Sequence, residues 1–300
     1  MNRPVLVLAT LLWSVASFSQ NPASAVQNKP EGQSASKTVL LTIETASPTQ
    51  LNNTDVLVSV GKQPFAPVLE LQGASSAPLD FVLVVDSSSS AARSKLRSPA
   101  LNGIPRFLAA VRNSGIAVRT ALVEFSRKAR VVQDFTSDPI EGSLKKLSPG
   151  GGSALQDALA LAARLAQQSA PPARRIILVV TDGEDNLSNT TREEVVQAAV
   201  RASASIYALS LGEPPSQYAP LSGRGEKLLK DVSAQTGGRV FFPKNETQIA
   251  EALDAIRSEM QMQFFAVIAV PATKKGFYPL QFKTSGLHGA VRGATAVVSE

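Results

Sequence analysis

From residue 80 onward, short apolar runs rich in β-branched residues alternate with stretches whose apolar positions recur every three or four residues. The runs at 80 to 85, 117 to 125, 129 to 135, 174 to 181, 205 to 211 and 239 to 242 read as strands. Helical spacing covers 99 to 113, 138 to 147, 153 to 168, 190 to 204, 224 to 236 and 246 to 262. This alternation predicts an α/β chain: a Rossmann-like, doubly wound, mostly parallel sheet with crossover helices. Only Ser126-Arg127-Lys128 separates the second and third strands. That is too short for a parallel crossover, so the two form a hairpin that adds one antiparallel edge strand. Leu155, Leu159, Ala162 and Ala166 make one helical stripe, and Ile249, Leu253, Ile256 and Met260 make another behind the capping residue Asn245. Pro105 is expected to kink or restart a helix begun at Pro99.

The flanks carry a strand period instead. Segments 38 to 45, 56 to 60 and 68 to 71 precede the alternating region, and 264 to 270, 278 to 284 and 290 to 298 follow it. This layout predicts a central domain at 79–262 and a small β module in which 38–78 packs with 263–300. Gly73-Ala74-Ser75-Ser76-Ala77-Pro78 is the linker into the central domain. Residues 26–37 are polar and aperiodic and read as a flexible leader. Residues 1–25 carry Arg3, an apolar stretch from Val5 to Val15 and the small-residue pattern Ala23-Ser24-Ala25, the layout of a cleaved secretory signal. The apolar stretch is shorter than the ~20 residues that span a bilayer, so the expectation is export to the periplasm or extracellular space with no membrane span after cleavage.

Composition narrows the chemistry. The chain has 300 residues, 44% apolar and 18% charged, as an ordinary globular protein does. The chain has no cysteine, which excludes disulfides, thiolate metal sites, cysteine nucleophiles and lipid attachment through cysteine. Its single histidine, His288, falls in a terminal turn, leaving Ser-His-Asp and histidine-zinc chemistry without parts. The net charge is +6, but the basic residues are scattered and not interleaved with aromatics, so no nucleic-acid partner is expected. Arg174-Arg175 reads as the solvated start of a strand.

The distinctive chemistry lies at strand ends. Asp86-Ser87-Ser88-Ser89-Ser90 follows the apolar run Phe81 to Val85, so a carboxylate and alternate hydroxyls emerge where open α/β sheets place ligands. All-oxygen clusters suit hard cations. Serine runs after strands also occur as loops that bond their own backbone, and Asp86 could cap the following helix. Two further segments bear on the choice: the glycine loop Gly150-Gly151-Gly152-Ser153 at the mouth of a helix, and Thr181-Asp182-Gly183-Glu184-Asp185 after a second buried strand.

In this order, over roughly residues 79 to 262, these segments resemble the von Willebrand factor type A domain and its metal-ion-dependent adhesion site, as found in exported bacterial proteins with flanking β segments. Asp86, Ser88 and Ser90 match the DxSxS element, and Asp182 matches the later aspartate. Ser153 stands at the threonine position, and Ser89 stands where glycine is frequent. The resemblance implies metal ligands Asp86, Ser88, Ser90, Ser153 and Asp182. Mg²⁺ is the first choice of ion, with Ca²⁺ and Mn²⁺ as alternatives. It further implies a protein partner whose Asp or Glu completes the ion's shell, which is recognition without catalysis. Asp157 reads either as support for the loop or as an acid complementing its helix dipole. Glu184 and Asp185 read as solvated rim residues. Two rivals remain: a Mg²⁺-dependent phosphoryl-transfer or hydrolase site built from Asp86, Asp182 and Asp185, and a structural scaffold with a degenerate site. Against the first, the run lacks the second aspartate of a haloacid-dehalogenase-like DxDxT site.

Overall fold

The computed structural model describes residues 34–45, 51–168, 173–212, 222–272, 274–286 and 289–299. The expected signal, His288 and all of the expected leader before Ser34 lie outside the described residues. The first strands are β1 (Ser34–Thr45), β2 (Val56–Val60), β3 (Ala66–Pro67) and β4 (Glu70–Gly73). Then come β5 (Leu79–Asp86), α1 (Ser89–Arg93), α2 (Arg97–Asn113), β6 (Val118–Phe125), β7 (Ala129–Thr136), α3 (Glu141–Leu144) and α4 (Leu155–Gln167). They are followed by β8 (Arg174–Thr181), α5 (Arg192–Arg201), β9 (Ala204–Ser210), α6 (Ser222–Gln235), β10 (Val240–Phe241) and α7 (Glu246–Gln261). The chain closes with β11 (Gln263–Pro271), β12 (Gly276–Thr284), β13 (Gly289–Gly293) and β14 (Ala296–Ser299).

The central sheet has six strands in the order β10-β9-β8-β5-β6-β7. All pairs are parallel except β6 with β7, the hairpin that the short connection requires. Every residue of β5 is buried, because its alternating side chains feed two cores. Val82 and Val84 pack with Leu155, Leu159 and Ala162 of α4 and with α5 and α6, whereas Phe81, Leu83 and Val85 pack with Ile104 and Leu108 of α2 and Leu253 and Ile256 of α7. Helices thus cover both faces. α2 runs through Pro105 without a break, correcting the expected restart. Its apolar stripe of Ile104, Phe107, Leu108 and Val111 is buried on both sides of the proline, so tertiary packing offsets the lost backbone bond.

The flanks form two four-stranded antiparallel sheets, β13-β1-β11-β4 and β14-β12-β2-β3. They share one core that includes Leu41, Ile43, Val58, Ala266, Ile268 and Leu280. β1 begins at Ser34, inside the span expected to be flexible, because Ser34 pairs with Pro271 at the end of β11. Ladder bonds supply there what an apolar pattern does not. The module seats on the central domain at the end of α6. Thr236 bridges Ala294, Arg292 donates to the carbonyls of Gly237 and Gly238 at 3.1 Å, and Arg292 Nη2 lies 2.8 Å from Glu259 of α7.

Arg174 corrects a second expectation. It is fully buried, not a solvated strand start. Nη1 donates to the Met260 carbonyl (2.9 Å) and Gln263 Oε1 (3.2 Å), where the chain leaves the central domain. Nη2 donates to the carbonyls of Ser75 and Ala77 at 3.1 Å, where the chain enters it. Burial pushes this guanidinium down to about 10, and no carboxylate contacts it among the described residues. One side chain therefore fastens both crossings with neutral oxygens. Arg174→Leu removes the bonds to the carbonyls of Ser75, Ala77 and Met260 and is expected to lower unfolding stability by about 3 kcal/mol. Urea denaturation reads this directly; a wild-type midpoint would show that the crossings hold without it.

Candidate functional site

Asp86 ends β5 and is almost wholly buried. Its Oδ1 accepts the Ser88 N–H at 2.8 Å, and its Oδ2 accepts the Thr181 hydroxyl at 2.6 Å from the end of neighbouring β8. Thr181 Oγ1 in turn accepts the Gly183 N–H at 2.9 Å. Burial pushes the Asp86 carboxyl up to about 6, the bonds from Ser88 and Thr181 oppose that rise, and the negative charge of Asp182 adds to it. Arg97 of α2 fixes the same bend, with Nε donating to the Asp86 carbonyl and Nη2 to Ser87 Oγ, each at 3.2 Å.

The serines serve both the turn and its neighbours. Ser88 caps α1 by accepting the Ala91 N–H at 3.3 Å, so the backbone-bonding alternative is realised for this residue. Its Oγ also lies 3.2 Å from Ser90 Oγ, and Ser90 donates to Glu184 Oε2 at 3.3 Å. Ser89 donates its N–H to the Gly151 carbonyl (3.0 Å), and its Oγ accepts the Gly151 N–H (2.9 Å). With Gly150 donating to the Ser87 carbonyl at 2.6 Å, the glycine loop is laced onto the serine loop. Gly151 has φ +91°, a conformation that favours glycine, and a Cβ there would fall 2.8 Å from the Cγ of the exposed Arg127 side chain.

Ser153 is fully buried, and its hydroxyl donates to the Glu184 carbonyl at 2.6 Å. Its N–H donates to Asn186 Oδ1 (2.9 Å), while its carbonyl accepts the N–H groups of Asn186 (3.0 Å) and Leu187 (2.9 Å). Asp182 is half-buried, and its Oδ1 accepts the Glu184 N–H at 3.0 Å. Behind this turn, a Cβ on Gly225 of α6 would lie 2.0 Å from the Gly183 carbonyl oxygen, so helix and turn meet backbone to backbone.

The five residues singled out in the sequence thus sit on three loops at one sheet edge. Ser90 and Ser153 both touch Glu184, which lies two residues after Asp182, and Ser88 touches Ser90. Glu184 is exposed, as a rim residue is expected to be, while Asp185 is half-buried and accepts from the Gln156 N–H (3.1 Å) and the Ser188 N–H (3.2 Å). Asp157 accepts from the N–H groups of Asn189 (3.2 Å) and Thr190 (2.9 Å), and so braces the loop after β8. Burial works against its ionisation, but the bonds from Thr190 and Asn189 prevail and hold it below the usual carboxylate range. Thr181, Arg97 and Asn186 carry structural roles the sequence did not flag. A hydroxyl closing a buried strand beside an aspartate is a local signal for the first, whereas nothing in the sequence marks the other two. Among the described residues, no group of three or more His, Cys, Asp or Glu is arranged to hold a metal.

Residues 81–184 match the family model of the von Willebrand factor type A domain. No curated protein matches the chain. Among solved structures, the chain is similar to an aerotolerance-related membrane protein from Bacteroides fragilis NCTC 9343, at 21% identity over 61% of this chain and 98% of that one, with a TM-score of 0.46. It is similar to a von Willebrand factor type A protein from Catenulispora acidiphila, at 13% identity over 91% and 76% of the two chains, with a TM-score of 0.46. It is similar also to the pilus adhesin SpaC from Lactobacillus rhamnosus GG in its open conformation, at 12% identity over 85% and 47%, with a TM-score of 0.49.

Thr181→Val keeps the branched shape but strips Asp86 Oδ2 and the Gly183 N–H of a partner. Unfolding stability should fall by about 2 kcal/mol and recover in Thr181→Ser. Chemical denaturation of the three proteins measures it, and equal midpoints would remove Thr181 from the account.

Proposed function

We propose, from a chain that carries a von Willebrand factor type A domain over residues 81–184, that it is an exported protein-binding module whose strand-end oxygens hold a divalent cation for a partner's carboxylate. The observation that carries this reading is the paired hydroxyls of Ser88 and Ser90, 3.2 Å apart beside the buried Asp86. Adjacent oxygens on an octahedron with bonds near 2.1 Å stand about 3.0 Å apart, so this spacing suits two neighbouring ligands of Mg²⁺ or a slightly larger ion. In this reading Ser88 and Ser90 bind directly, Ser153 contributes a third hydroxyl, and Asp86 and Asp182 bind directly or through water. The donor set fits a hard cation because every atom in it is oxygen.

Mg²⁺ is the ion favoured, with Ca²⁺ and Mn²⁺ as the alternatives. A cation held largely by neutral hydroxyls keeps its affinity for an anionic oxygen, which is the chemistry a partner's Asp or Glu supplies. The role is recognition, so no residue is assigned a catalytic part. Export rests on the pattern of residues 1–25, which lie outside the described residues. Among the described residues no helix is long and apolar enough to cross a membrane.

Titration calorimetry with Mg²⁺ and Mn²⁺ is the test. Wild type should bind one ion, and Asp86→Ala and the double variant Ser88→Ala with Ser90→Ala should bind at least tenfold more weakly while keeping their fold by circular dichroism. Absence of heat with Mg²⁺, Mn²⁺ and Ca²⁺ alike would end the proposal.

A further inference from the structure

Two side chains outside the candidate ligand set flank the glycine loop. Arg127, at the tip of the β6–β7 hairpin, lays its stem across Gly151: a Cβ there would be 2.8 Å from its Cγ and 3.1 Å from its Nε. The hairpin is tied to the site, because the Ala154 N–H donates to the Ser126 carbonyl at 2.9 Å. Arg127 is exposed and makes no ion pair or side-chain hydrogen bond among the described residues, unlike Arg97, whose guanidinium is occupied by the serine loop. On the next residue of the loop, Leu187 Cδ1 would lie 2.7 Å from a Cβ on Gly152, and Leu187 is 46% exposed. Its backbone is held by the Ser153 carbonyl.

An unpaired cation and an exposed apolar side chain thus stand against consecutive residues of the loop that delivers Ser153. Successive α-carbons are about 3.8 Å apart, so a carboxylate brought over this loop has its own chain neighbours within reach of both. We infer that the site selects an acidic residue with a second acid on one flank, which pairs with Arg127, and an apolar residue on the other, which packs on Leu187. This rests on the cation-bridged docking proposed above and adds the sequence context of the partner. The hydroxyls and the ion accept any carboxylate; Arg127 and Leu187 discriminate among them, Arg127 by charge and Leu187 by apolar area.

The probe is a displayed library of short peptides, random except for one fixed glutamate, captured on the full chain in Mg²⁺ and eluted with chelator. Wild type should enrich peptides with Asp or Glu on one flank and Leu, Ile, Val or Phe on the other, by roughly fivefold over the library. Arg127→Glu should replace the acid with Lys or Arg, and Leu187→Ser should remove the apolar enrichment. Leu187→Ser should keep wild-type Mg²⁺ affinity by calorimetry, and Arg127→Glu should bind Mg²⁺ no more weakly than wild type, which separates their effect from damage to the ion site. Chelator-sensitive capture with no flank preference, or preferences unchanged in both variants, would overturn this inference and leave cation-bridged docking standing. No chelator-sensitive capture from wild type would overturn both.

Discussion

The in-register parallel pairing of β5 with β8 is the constraint from which the rest follows. It sets Leu79 opposite Arg174 and Val85 opposite Val180, so the two strands start and end level. At the carboxyl edge the Thr181 hydroxyl then reaches Asp86 Oδ2, and at the other edge Arg174 sits beside the linker that enters β5. A slip of one residue would turn every core side chain to the opposite face and separate both contacts. The site and the junction with the β module are thus two ends of one ladder.

At the carboxyl edge, the loops hold each other more than they are held by the sheet. Ser87 and Ser89 bond the glycine loop, Ser153 bonds the loop after β8, and Asp157 and Asp185 bond backbone N–H groups across the same gap. Small hydroxyl residues and glycines suit this, since they bring donors and acceptors close with little side-chain entropy to lose. The arrangement preorganises oxygen atoms and exposes a rim, as the proposed recognition through an ion would need.

At the opposite edge polar groups join the β module to the central domain beside the apolar contacts of Phe277, Ala294 and Ala296. Arg174 gathers oxygens from both crossings, and Glu259 on α7 meets Arg239, Arg292 and the hydroxyl of Tyr207. Such groups are demanding, because each must be satisfied once water is excluded.

Local signals carried much of this into the sequence. Runs of Val, Ile and Leu mark buried strands, a three-residue connection forces a hairpin, and a carboxylate with hydroxyls after such a run stands at the ligand edge because strand length and polarity are adjacent-residue properties. That placed Asp86, Ser88, Ser90 and Asp182 at this edge, whereas Ser153 and the reading of all five as one ligand set came from the resemblance. Tertiary structure alone decided that Arg174 is buried, that α2 continues past Pro105, that Ser34 begins a strand, and that Glu184 and Asp185 are bonded into the site. Each depends on a partner far away in the chain: the carbonyls of Ser75 and Met260, the core under α2, Pro271, and the residues from Ser153 to Gln156. A pattern of neighbours encodes which way a side chain tends to face; whether a polar group is satisfied is settled only by what the fold brings opposite it.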